Sequence, residues 1–354
     1  MIICLFADKS HKMRYLFISI LLLSSLCSAQ NIFDYEKEIS DKDQYNYEEI
    51  DFKIPLKKDS IQLSGTLISP KTVSDIILII VPGSGADTRN SHYLLTEELL
   101  KNNISVYRYD ERGIGNSGGK FNTANYTITD MSEELSSCIR TLKKNKALSG
   151  KKIGLLGHSQ GGMVTMQTYQ NNLPIDFMIQ WATPVQKHGE FIKYQIKSGQ
   201  NTFPDVLKFD DIDKKLEIVT ALHKVIEENK EETDNWKLSK KLEKTAKKIG
   251  YTKDNYSRFP YLTLASEKDI VRKDFEPAYK NIKIPVLYII GTKDIFVDPE
   301  AETKLLENFA NSNISIKKMD GLSHYLTKSK LTLQNLYEID KNALSEIINW
   351  IKIR

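Results

Sequence analysis

The chain has 354 residues, 40% of them hydrophobic and 27% charged, which suits one large α/β domain with a sizeable core and room for an insertion. Its 50 Lys and Arg against 46 Asp and Glu leave a net charge of +4, with the two signs interleaved. No basic stripe with interleaved aromatics is present, so nucleic acid is not an expected partner.

At the N-terminus, Met13-Arg14 leads into the apolar run Tyr15 to Leu23, then Ser24-Ser25-Leu26-Cys27-Ser28-Ala29. A basic start, a short apolar run and small residues at a cleavage position make a secretory signal over residues 1–29, with translation from Met1 or from Met13. The run is too short for a comfortable transmembrane helix, so no stable membrane span is expected after its removal. Acylation at Cys27 is disfavoured by the bulky Leu26 before it. An exported location, periplasmic or extracellular, is the expectation. Losing this segment removes Cys4 and Cys27 and leaves Cys138 alone, so no internal disulfide forms. Cys138 lies on a predicted helix and reads as a small buried apolar group. Nothing in the His and Cys spacing suggests zinc.

Residues 30–49 are polar, acidic and tyrosine-rich, and read as a flexible lead-in. Asp51 to Pro55 and Ile61 to Leu67 alternate as half-exposed strands and suit an antiparallel sheet edge. Ile76 to Val81 is a continuous apolar run, the pattern of a strand buried on both faces. Pro82-Gly83-Ser84-Gly85 follows, then a helix near Tyr93 to Lys101 and a strand over Ile104 to Tyr109. Gly113-Ile114-Gly115-Asn116-Ser117-Gly118 matches a dinucleotide-binding fingerprint, but the residues after it read as loop rather than the helix that would receive phosphate. A helix over Met131 to Leu142 leads to the apolar segment Lys152 to Leu156. Alternating strands and helices predict a mostly parallel sheet covered on both faces.

Gly157-His158-Ser159-Gln160-Gly161 then stands between that strand and a helix starting at Gly162. A Gly-x-Ser-x-Gly so placed is a nucleophile elbow, in which a sharp turn needs small flanking residues and lifts the serine hydroxyl clear of the sheet. The bland alternative is a glycine-rich turn whose serine merely caps a helix. An acid and a histidine further along decide between them. Val286 to Ile290 is another buried strand, ending at Gly291-Thr292-Lys293-Asp294. A last strand around Ile314 to Met319 precedes Asp320-Gly321-Leu322-Ser323-His324. Of the six histidines, His324 alone combines the order with a position after a strand; His11, His92, His158, His188 and His223 do not. Asp298 and Asp269 rival Asp294 as the acid. Asp298 precedes Pro299 at a predicted helix start and reads as an N-cap; Asp269 precedes the last strands and lacks the glycine.

With these residues in the order Ser, Asp, His, the chain resembles the α/β-hydrolase superfamily, nearest its secreted serine esterase and prolyl-aminopeptidase-like branches, from about Ile50 to Ile353. The resemblance implies Ser159 as nucleophile, Asp294 as acid and His324 as general base. It implies an oxyanion hole from the backbone amides of Gln160 and Ser84, although Pro82-Gly83 stands where many relatives have His-Gly. Asp110-Glu111-Arg112-Gly113 matches a family loop in which Asp110 and Arg112 brace the neighbourhood of the site.

The core is expected over residues 50–184 and 284–354. Between them, residues 185–283 carry 21 Lys and Arg and 17 Asp and Glu, denser than the chain as a whole. Leu216, Val219, Leu222 and Ile226 share one predicted helical face, as do Leu238, Leu242, Ala246 and Ile249, so this insertion reads as a helical cap. Its charge argues against a lipid-facing lid. The expected activity is a secreted serine hydrolase cleaving a small carboxylic ester, with no metal or organic cofactor. A serine aminopeptidase or other peptidase, or a thioesterase, shares the chemistry. A non-catalytic binding protein on the same fold would be expected to have lost a triad member. The oligomeric state is not legible.

Overall fold

A computed structural model describes residues 33–354, apart from 34, 56–59, 123, 200–210 and 251–263. The expected signal over residues 1–29 lies outside the described residues. Eight strands form one sheet: β1 (Tyr45–Glu49), β4 (Gly65–Pro70), β5 (Ile76–Val81), β6 (Ser105–Tyr109), β7 (Lys152–His158), β8 (Phe177–Trp181), β9 (Val286–Gly291) and β10 (Ile314–Met319). Their order is β1-β4-β6-β5-β7-β8-β9-β10. β1 and β4 run antiparallel, and every pairing from β6 to β10 is parallel. The central runs Ile77 to Ile79 and Val286 to Ile290 are inaccessible to solvent, as strands covered on both faces must be.

Two readings of the N-terminal third need correction. Tyr45 to Glu49 is the edge strand β1, and the stretch before it packs on the core with Glu36 and Ile39 buried, so residues 35–49 are not a loose lead-in. The antiparallel edge of the main sheet is β1 with β4. The segments β2 (Phe52–Pro55) and β3 (Ser60–Leu63) instead pair with each other as a separate two-stranded ribbon.

The helices that cover the core are α1 (Tyr93–Lys101), α2 (Ile128–Lys144), α3 (Gln160–Gln170), α9 (Pro299–Phe309) and α10 (Lys341–Lys352). Cys138 is buried on α2 as a free thiol whose pKa burial pushes up. The described residues between Val185 and Lys283 include five helices: α4 (Glu190–Ser198), α5 (Ile212–Glu228), α6 (Asn235–Lys248), α7 (Ala265–Arg272) and α8 (Glu276–Asn281). Val219, Leu222 and Ile226 on α5 and Leu238, Leu242 and Ala246 on α6 are buried, so the two amphipathic faces close on each other. Glu302, buried on α9, accepts from the Val185 and Gln186 amides at 2.9 and 2.9 Å and ties the start of this helical layer to the core. No helix among the described residues is long and apolar enough to cross a membrane.

Candidate active site

Ser159 sits between β7 and α3 with φ 54° and ψ −119°, a strained backbone for a residue with a side chain. The neighbouring glycines make that turn possible. A Cβ on Gly157 would lie 2.5 Å from Gly161 O, and one on Gly161 would lie 2.3 Å from Pro82 O. The loop after β5 crosses directly over this elbow, since a Cβ on Gly83 would be 3.4 Å from the Ser159 Cβ.

Asp294 follows β9 and is buried. Its Oδ1 accepts from the Phe296 and Val297 amides at 2.8 and 2.9 Å, which orients the carboxylate. Its Oδ2 lies 2.7 Å from His324 Nδ1. A carboxylate there calls for the proton on Nδ1 and leaves Nε2 as an acceptor. His324 is 4% exposed, and its carbonyl accepts from Trp181 Nε1 at 3.0 Å. Ser159, His324, Ser84 and Gln160 line one cavity of about 350 Å³. Ser159 and His324 both face it, with no direct hydrogen bond between them.

Neither Asp298 nor Asp269 hydrogen-bonds His324. Asp298 accepts from the Glu300 and Ala301 amides and caps α9. Asp269, on α7, accepts from the Ile128 amide at 3.0 Å and holds the first turn of α2. The Asp110 loop is a brace. Asp110 accepts from the Arg89 amide at 2.8 Å and the Asn116 amide at 2.9 Å, while Arg112 pairs with Glu134 on α2. Helix α2 starts only at Ile128, so the glycine-rich motif does not open into a helix. His158 and His92 are buried neighbours, His92 Nε2 3.3 Å from His158 Nδ1, and burial keeps both pKa values low, that of His92 at about 3. They therefore pack as neutral rings, His158 against His324 and His92 behind it against His158 and Trp181. No cluster of His, Cys, Asp or Glu among the described residues is arranged to hold a metal.

The cavity's outer wall comes from residues the sequence did not single out: Phe191, Ile192 and Gln195 on α4, Glu267 and Ile270 on α7, and Phe296. Helix α4 docks on the loop after β9 through Tyr194 OH to Asp294 O at 2.8 Å and Ser198 Oγ to Ile295 O at 2.6 Å. Glu267 makes no hydrogen bond or ion pair among the described residues, and burial alone raises its carboxyl to about 7. Ile192 and Ile196, four apart, give α4 a buried face, but nothing local in the sequence aims it at Ser159.

A mostly parallel sheet carrying a serine on its strand-to-helix turn, with Asp and His on the loops after later strands, defines an α/β-hydrolase. The chain belongs to the serine aminopeptidase S33 family, whose profile matches residues 73–330. Among solved structures, a Pyrococcus furiosus esterase is 19% identical with TM-score 0.55, covering 87% of this chain and 91% of that one. A Thermogutta terrifontis esterase is 17% identical with TM-score 0.51, covering 86% and 98%. An Exiguobacterium antarcticum esterase is 14% identical with TM-score 0.51, covering 85% and 99%. At these identities the likeness is one of fold. No curated protein matches the sequence. The protein is a serine hydrolase of the α/β class.

Proposed function

We propose that the protein hydrolyses a small carboxylic ester through Ser159, His324 and Asp294. His324 Nε2 takes the hydroxyl proton as Ser159 Oγ attacks the ester carbonyl, and Asp294 stabilises the imidazolium that results. The Gln160 and Ser84 amides hold the oxyanion. Collapse expels the alcohol, which receives the proton from His324 and leaves an acyl-Ser159. Water, deprotonated by the same histidine, attacks that ester, and release of the acid restores the serine. The observation that carries this reading is the 2.7 Å bond between His324 Nδ1 and the amide-oriented Asp294, in the same cavity as a serine on an elbow. Profiling the purified protein on short-chain ester, thioester and aminoacyl amide panels tests it. Turnover of amides with none of esters would reject it.

A second reading, an aminopeptidase, is favoured by Glu267. A carboxyl without a partner among the described residues, in a cavity walled by Phe191, Phe296 and Tyr325, suits an ammonium group, through charge and through the aromatic faces. The family's name points the same way. The N-terminal apolar run supports export with cleavage after Ala29, so N-terminal sequencing of exported protein should begin at Gln30.

A further inference from the structure

The loop that carries Ser84 has little support of its own. Ser84 and Gly85 are exposed, and a Cβ on Gly85, at φ +132°, would meet nothing within 4 Å. Its position therefore depends on its two ends. One end is Val81, paired with Gly157 in the sheet. The other is the segment from Ala86 to Arg89, and its hold is unusual. Three successive backbone amides donate to three different carboxylates: Asp87 N to Glu111 at 2.8 Å, Thr88 N to Glu36 at 2.6 Å, and Arg89 N to Asp110 at 2.8 Å. Glu111 and Asp110 come from the loop after β6. Glu36 comes from the segment ahead of β1, fifty-two positions away in sequence.

Glu36 is 2% exposed and takes both polar groups of Thr88, the hydroxyl also at 2.6 Å. Beside it, Tyr35 OH donates to Ala86 O at 2.9 Å. The segment is itself fixed downstream, where Ile39 is buried and the Ser40 amide donates to Glu97 on α1 at 2.6 Å. Tyr35, Glu36, Ile39 and Ser40 lie before residue 73, where the family match begins, so this chain supplies one half of the clamp from outside the matched region.

We propose that residues 35–40 form a strap that positions the oxyanion loop, with Glu36 as its positioning residue. The inference rests on the proposed role of the Ser84 amide. A preorganised donor helps only when aimed where the oxyanion forms, and losing one costs about 10²–10³ in kcat. Losing the strap displaces the donor rather than removing it, so a smaller loss is expected. Glutamine at position 36 retains an acceptor for the Thr88 amide and a donor for its hydroxyl, whereas alanine leaves the amide unpaired and the hydroxyl with only the Asn90 amide, which donates to it at 3.1 Å.

The test compares the wild type with Glu36→Ala, Glu36→Gln and Tyr35→Phe on an ester substrate. A trifluoromethyl ketone, which forms an oxyanion on Ser159, serves as the probe. Glu36→Ala should lower kcat at least tenfold with KM within about twofold, and weaken the ketone by a matching factor. Glu36→Gln should recover most of both. Circular dichroism establishes that each variant is folded at the assay temperature. Should Glu36→Ala fail to fold, Tyr35→Phe carries the test, with a severalfold fall in kcat at an unchanged melting temperature. Folded Glu36→Ala with native kcat and native ketone affinity would overturn the strap. A wild type lacking Ser159-dependent ester turnover would overturn the functional reading instead.

Discussion

The core and the helical layer over it build the same cavity by different means. On the core side the three proposed reacting groups are held by local geometry: Asp294 by the Phe296 and Val297 amides, Ser159 by its elbow, His324 by the Asp294 carboxylate. On the other side Phe191, Ile192, Ile270 and Glu267 are brought to the cavity by helix packing. That layer meets the core through a shared apolar cluster and through polar ties, among them Tyr194 to Asp294 and Asp269 to the start of α2. The difference separates chemistry from choice. Substitutions below the cavity should act on rate for every substrate, and those above it on the ranking of substrates.

The largest break in that pattern is expected at the acid. Asp294→Asn leaves the fold intact but favours the wrong imidazole tautomer, so kcat should fall by about 10⁴ on all esters alike. Steady-state kinetics on two unrelated esters checks it. Activity within tenfold of native would move the acid elsewhere.

A smaller effect, on selectivity alone, is expected at Glu267. Its carboxyl is raised to about 7, so it is neutral below that pH and charged above it. The ratio of kcat/KM for a trimethylammonium ester over its neutral tert-butyl isostere should therefore climb as pH rises through about 7, by roughly tenfold. His324 serves both substrates and cancels in the ratio. Glu267→Gln should flatten the profile while leaving the neutral ester's turnover nearly native. A ratio that is flat in the wild type would remove the ammonium reading.

The smallest effect should come from Asp298→Asn, a change at the α9 cap. It should cost at most about 1 kcal/mol of stability, with activity kept. Thermal melting beside turnover measures both, and a folded but inactive variant would contradict the assignment.

How far the sequence reached follows the same division. Strands such as Ile76 to Val81 and Val286 to Ile290 announce themselves because burial on both faces demands an unbroken apolar run. The elbow is legible because sterics at Gly157 and Gly161 tolerate no side chain, and the Asp298 cap because Pro299 marks the first turn. Residues 35–49 mislead for the opposite reason. A polar, acidic stretch looks solvated, and the partners that make burial of Glu36 tolerable belong to Thr88, far along the chain. Asp269 and Glu267 share that difficulty. One caps a helix that begins 141 positions earlier, and the other reaches the cavity only once α7 has packed.

The central claim is that Ser159 is the activated nucleophile of this cavity. Intact-mass analysis after treatment with a fluorophosphonate tests it most directly, because an activated serine attacks phosphorus as it attacks a carbonyl. One covalent adduct on the native protein, mapped to the peptide holding Ser159 and absent in Ser159→Ala, is the predicted result. Labelling of Ser159→Ala equal to that of the native protein would contradict it.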